Sequence, residues 1–214
     1  MALRKTIPAF TLIELAIVLM IIGVIAGAIF KGQDLLETAK ARAVLNDFNH
    51  LKVAVQLYQE AYSSLPGDDQ VAKQKFSQTK DGDGNGVITN DDAKLFWEHL
   101  YYAGYISSSV PLSSKFGGKY SVVYKFSDDF DGHWLMLGKE RPDDSIIADG
   151  PLLTPKQAMA IKSRSDDGMY ATNPNLGSVR ITEGKGVSKG QCVKDNKYLN
   201  LETKSPVCIV LVSF

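Results

Sequence analysis

The chain reads as an α+β protein, with a long N-terminal helix whose second half packs on a small antiparallel sheet. Three observations support this. Phe10 to Phe30 is a run of 21 residues with a single charge, Glu14. Beyond it, Val44, Phe48, Leu51, Val55, Tyr58 and Tyr62 recur at spacings of four, three, four, three and four, an apolar stripe of helical period. After Pro66 the helical period gives way to short β-rich segments separated by Gly, Asp and Ser clusters, closing on the apolar run Val207–Phe214. The 214 residues suit one anchor plus one domain of ordinary size.

The order of elements starts with a polar leader, residues 1–9, carrying Arg4 and Lys5. These cations favour a cytoplasmic N-terminus, which places the rest of the chain outside. Residues 10–30 form the membrane-spanning stretch, since about 20 helical residues cross a hydrocarbon core of about 30 Å. Glu14 inside it is costly in lipid and calls for a partner. Lys31-Gly32-Gln33 marks the exit, and residues 31–65 continue the helix with charges such as Lys40, Arg42, Asp47 and Lys52 off the stripe. No proline interrupts it until Ser63-Ser64-Leu65-Pro66-Gly67 stops it, for a length of roughly 80 Å.

Residues 66–214 form the exported domain. After a polar loop or short helix over 68–80 comes Asp81-Gly82-Asp83-Gly84-Asn85-Gly86, which fits the first six positions of a calcium loop spanning 81–92. Hard Ca²⁺ needs several oxygens, and alternating short acids on a tight turn supply them. Asp81, Asp83 and Asn85 offer side-chain oxygens, Val87 a carbonyl, Thr89 a contact through water, and Asp92 stands where an EF-hand has glutamate. A helix is expected over Ala93–Ala103, capped by Gly104. Lys119–Phe126 and His133–Leu137 form a hairpin around the acidic turn Asp128–Gly132, which is expected to be solvated rather than metal-binding. Thr154 and Pro155 open a short helix that ends before Asp166-Asp167-Gly168. A turn over Asn173–Gly177, a strand over Val179–Thr182 and a glycine-rich connection over Glu183–Gly190 lead to the final strand. Cys192 and Cys208 are the two cysteines, and an exported domain favours their disulfide, with a stabilisation of about 3 kcal/mol for a loop of this length.

The segment A-F-T-L-I-E-L-A-I-V-L-M-I-I-G-V-I, with its leader, resembles the N-terminal cleavage and methylation segment of type IV pilins and type II secretion pseudopilins. The likeness covers about the first 35 residues, and Ala9 stands where that family usually has glycine. It implies cleavage between Ala9 and Phe10 by a prepilin peptidase, and methylation of the new amine of Phe10. It implies that Glu14 pairs with the amine of a neighbouring subunit. Further implied partners are membrane lipid before assembly, an inner-membrane assembly platform, and identical or related subunits in a helical filament. The bacterial inner membrane, with the C-terminal domain periplasmic, is the implied location before assembly. The unbroken helix is more like a minor pilin or pseudopilin, and calcium-stabilised loops occur among pseudopilins. Two other readings of the N-terminus stay open: a secretory signal cut after Ala26-Gly27-Ala28, and a plain single-pass anchor.

Charges balance at 24 basic and 24 acidic residues. Losing Arg4 and Lys5 with the leader leaves 22 against 24. Nucleic acid is therefore not expected as a main partner. Lys185, Lys189, Lys194, Lys197 and Lys204 read as a solvated face, with a DNA-uptake pilin as the alternative. No nucleophile elbow, phosphate loop, dinucleotide fingerprint or zinc-protease motif occurs. His50, His99 and His133 sit near no nucleophile and read as packed or surface residues. A structural subunit is expected rather than an enzyme. The alternative from another class is a monomeric, membrane-anchored, calcium-binding periplasmic module.

Overall fold

The computed structural model describes residues 11–142, 146–165, 173–195 and 198–214. Two compact units divide the chain, residues 1–39 and 40–214.

In the first unit the described residues belong to helix α1 (Leu12–Tyr62). It is long and apolar enough to cross a membrane. Its apolar side chains are uncovered, from Leu12 at 93% exposure through Ile29.

The second unit contains the rest of α1, then α2 (Ala72–Lys75), α3 (Asp92–Tyr102), β1 (Lys119–Tyr124), β2 (His133–Gly138), α4 (Pro155–Lys162), β3 (Val179–Glu183), β4 (Val193–Lys194), β5 (Tyr198–Leu199) and β6 (Cys208–Ser213). Four strands form an antiparallel sheet in the order β1-β2-β6-β3. The architecture is thus α+β, as the sequence implies.

Period decides what is buried. Val44, Phe48, Leu51, Val55 and Tyr58 of the expected stripe are buried, Ala41 and Ala54 join them, and Tyr62 is half-buried at the end. They share one core with Tyr120, Val122, Leu135, Leu137, Val179, Ile181, Val210 and Val212, which alternate along the four strands and so project from one face. Phe48 meets Tyr120 edge-on at 5.1 Å, and the Tyr120 hydroxyl donates to Asp47 Oδ2 at 2.9 Å. The other face carries Trp134, Met136, Ile209 and Leu211, covered by Phe130. Arg180 lies over Trp134 at 5.0 Å. Burial on both faces explains the unbroken apolar run of β6, which lies between β2 and β3.

Local signals fall where the sequence puts them. Thr154 caps α4 reciprocally with Gln157, and Pro155 occupies its first position. Gly104 ends α3 with φ of 79°, and the Tyr105 N–H returns to the Leu100 carbonyl at 3.0 Å. α3 begins one residue earlier than expected, because Asp92 sits in its first turn and accepts from the Thr89 N–H and hydroxyl at 2.9 and 2.6 Å. The strand expected over Val179–Thr182 extends to Glu183, whose carboxylate accepts from the Gly190 and Val193 N–H groups. That clamps the connection expected to be loose. The turn expected at Asp166–Gly168 lies outside the described residues. Cys192 and Cys208 form the disulfide, with Cα atoms 5.3 Å apart and both residues buried.

Candidate functional site

Two places carry the chemistry the sequence singles out. At the start of α1, Thr11 and Glu14 close a reciprocal cap. The Thr11 N–H and hydroxyl each donate to Glu14 Oε2 at 2.8 Å, and the Glu14 N–H donates back to Thr11 Oγ1 at 3.3 Å. This is the threonine–x–x–glutamate capping box, a pattern the sequence itself carries at Thr11 and Glu14. Glu14 therefore has an intrachain partner. Ala9 and Phe10, the expected processing residues, lie outside the described residues.

The second place is the acidic loop. Carboxylate oxygens of Asp68, Asp83 and Asp92 all lie within 4.8 Å of one another. Asp83 and Asp92 are expected ligands, and Asp68 is an addition from the turn after Pro66. Its signal is weak in sequence, since it precedes the motif by 13 residues. It becomes a neighbour because the loop folds onto it. The Asn85 and Gly86 N–H groups donate to its two oxygens at 2.9 Å each. Glycine permits the approach. A Cβ on Gly67 would fall 2.6 Å from the Asp92 carbonyl oxygen, and one on Gly82 would fall 2.2 Å from the Gly67 carbonyl oxygen. Gly86 turns the chain at φ of 84°, as the motif expects.

The other expected ligands are otherwise engaged. Asp81 Oδ1 accepts from the Lys73 N–H at 2.8 Å, and Asp81 is not part of the triad. Asn85 donates to Asp83 Oδ2 at 2.6 Å and accepts from the Val87 N–H at 2.8 Å. Thr89 is bonded to Asp92. Asp68 is nine-tenths buried, and this burial raises its carboxyl above the usual range. A buried acid facing two further carboxylates, all hard oxygen donors, fits a divalent cation such as Ca²⁺.

Adjacent Asp69 does a different job. Burial raises its pKa, but bonds from Lys75 Nζ, the Val71 N–H and the Tyr58 hydroxyl outweigh that and lower it overall. The Tyr58 contact, at 2.8 Å, fastens the loop to α1.

Two histidines, the buried His99 and the half-buried His133, hold the loop as neutral rings. His99 Nδ1 accepts from the Gly67 N–H at 2.9 Å, so its Nε2–H donates to the Lys80 carbonyl at 2.9 Å. His133 Nε2 accepts from the Ile88 N–H at 3.3 Å. Burial lowers the pKa of both. The unfolded chain takes up these protons near pH 6.5 and the folded chain only at lower pH. Stability is therefore full above about pH 6.5 and falls as the pH drops below it. With chelator present, Tm of the full chain in detergent is expected to fall between pH 7 and 5. His99→Gln, already less stable, should show a shallower fall over the same range.

Lys185, Lys189, Lys194 and Lys204 are exposed, and Lys197 lies outside the described residues. Among family models, curated proteins and solved structures, no match to this chain is found. The functional reading therefore stands on the residues themselves.

Proposed function

We propose that the chain is a structural subunit, a pilin or pseudopilin, of a type IV pilus or type II secretion-like filament, cut before Phe10 and assembled through its apolar N-terminal helix. One observation carries this reading. A helix of membrane-spanning length leaves its apolar side chains from Leu12 to Ile29 uncovered and bears one acid, Glu14, in its first turn. Within one chain that acid caps the helix start, and a polymer can in addition give its charge a cation from the next subunit. Extraction from the membrane exchanges lipid contacts for helix–helix contacts, and the assembly is open and heterologous, the geometry that makes fibres. The role is structural rather than catalytic.

Asp68, Asp83 and Asp92 would hold Ca²⁺, which when bound supplies the positive charge their convergence lacks. The chain's own part is to set the acids: Gly67 and Gly82 allow the approach, and Asn85 and Gly86 orient Asp68.

A second reading is favoured by the Thr11 cap. Because Thr11 satisfies Glu14 within one chain, a solitary membrane-anchored, calcium-binding module is also chemically self-consistent. The N-terminal residue of the mature native protein separates the two, and Phe10 is the expected result.

A further inference from the structure

Asn85 is the one asparagine of the chain that precedes a glycine. An asparagine carboxamide is open to attack by the backbone nitrogen that follows it, and glycine, lacking Cβ, hinders that attack least. Asn85 and Gly86 are both exposed, and a Cβ placed on Gly86 would meet nothing within 4 Å.

Three hydrogen bonds stand where this reaction needs help. The attacking nitrogen must lose its proton, and the Gly86 N–H donates to Asp68 Oδ2 at 2.9 Å. Negative charge must build on the carboxamide oxygen, and Asn85 Oδ1 accepts from the Val87 N–H at 2.8 Å. The leaving amine must gain a proton, and Asn85 Nδ2 lies 2.6 Å from Asp83 Oδ2.

We infer that Asn85 is a site of self-catalysed deamidation. The Gly86 nitrogen bonds to Asn85 Cγ as its proton passes to Asp68, the Cγ–Nδ2 bond breaks, and ammonia leaves carrying a proton returned by the carboxylates. Water then opens the resulting succinimide ring to aspartate or isoaspartate. The sum is asparagine plus water giving an acid plus ammonia. Asp68 and Asp83, whose oxygens lie within 4.8 Å of each other, end as they began. The reaction needs neither a bound cation nor a filament. Its product carries one more negative charge in the loop, since Asp83 then faces a carboxylate where it now has an amide donor.

A loop that only pins Asn85 slows the reaction on folding, whereas a loop that catalyses it speeds it. The test takes the full chain in detergent, with chelator, at neutral pH and in heavy-oxygen water, either folded or unfolded in urea. Mass spectrometry of the peptide containing Asn85 measures how fast the amide becomes acid and takes up the label. The expected rate is about tenfold higher in the folded chain, less than general acid–base help alone supplies because ordering of the loop works against it. Asp68→Asn should bring the folded rate down to the unfolded one and leave the rate in urea unchanged. Deamidation that is no faster folded than in urea, or that keeps its full folded rate in Asp68→Asn, overturns the inference. The first comparison uses the unaltered chain, so it decides even where Asp68→Asn loosens the loop.

Discussion

If the chain is the filament subunit proposed here, Glu14→Ala is expected to leave it in the membrane and to remove it from filaments. Taking an acid out of an apolar helix makes insertion easier, so the membrane fraction should hold as much variant as wild type. Assembly is different. In the proposed polymer the amine of Phe10 in the next subunit would enter an apolar core, and without Glu14 it would be an uncompensated buried charge at every interface. Breaking a buried pair by removing one partner weakens each contact by at least about 100-fold, and a filament multiplies that loss along its length. Immunoblots of sheared filaments against membranes measure the outcome. Thr11→Val supplies the contrast. It abolishes the side-chain half of the cap that Thr11 and Glu14 share, yet leaves the carboxylate for the neighbour. Incorporation of Thr11→Val together with loss of Glu14→Ala assigns Glu14 to the subunit contact. Loss of both assigns it to the helix start, and normal incorporation of Glu14→Ala ends the pairing role.

Calcium should raise the melting temperature of the second unit, residues 40–214, within the full chain, and chelation should lower it. At a free concentration about 100 times Kd, binding to the folded state alone adds about 2.7 kcal/mol. For a chain of this size that corresponds to a shift of about 5–10 °C. Asp68→Asn and Asp83→Asn should abolish the shift. Asp92 is a poorer test, because its carboxylate also holds Thr89 at the start of α3. Asp81→Ala separates the geometric triad from the linear motif: the triad leaves the calcium shift intact, whereas the motif removes it. No shift in the unaltered chain discards the metal altogether.

Much of the fold is legible in the sequence because burial there is periodic and local. The stripe from Val44 to Tyr58 and the cap at Thr154 rest on spacings of four residues or fewer, and β1 and β2 are neighbours in sequence that pair across one turn. The disulfide is legible because the chain has only two cysteines and the export expected from its N-terminal segment would favour their pairing. Contacts set by tertiary closure are not. Asp68 meets Asp83 only when Gly67 and Gly82 let two turns touch, and no linear motif records that approach. The placement of β6 between β2 and β3 depends on a sheet buried on both faces, which a continuous apolar run permits but does not order. The Thr11 cap is a different case. Its pattern is plain in the sequence, but the resemblance of the N-terminal segment had already assigned Glu14 to a neighbour.

If the apolar helix is an assembly element released from its leader, the mass of the first peptide of native material must show it. The expected peptide begins at Phe10, heavier by one methyl group. A peptide beginning at Ile29 would mean a discarded secretory signal. One retaining Met1 or Ala2, from protein that stays solitary in detergent, would mean an unprocessed anchor; either contradicts the filament reading.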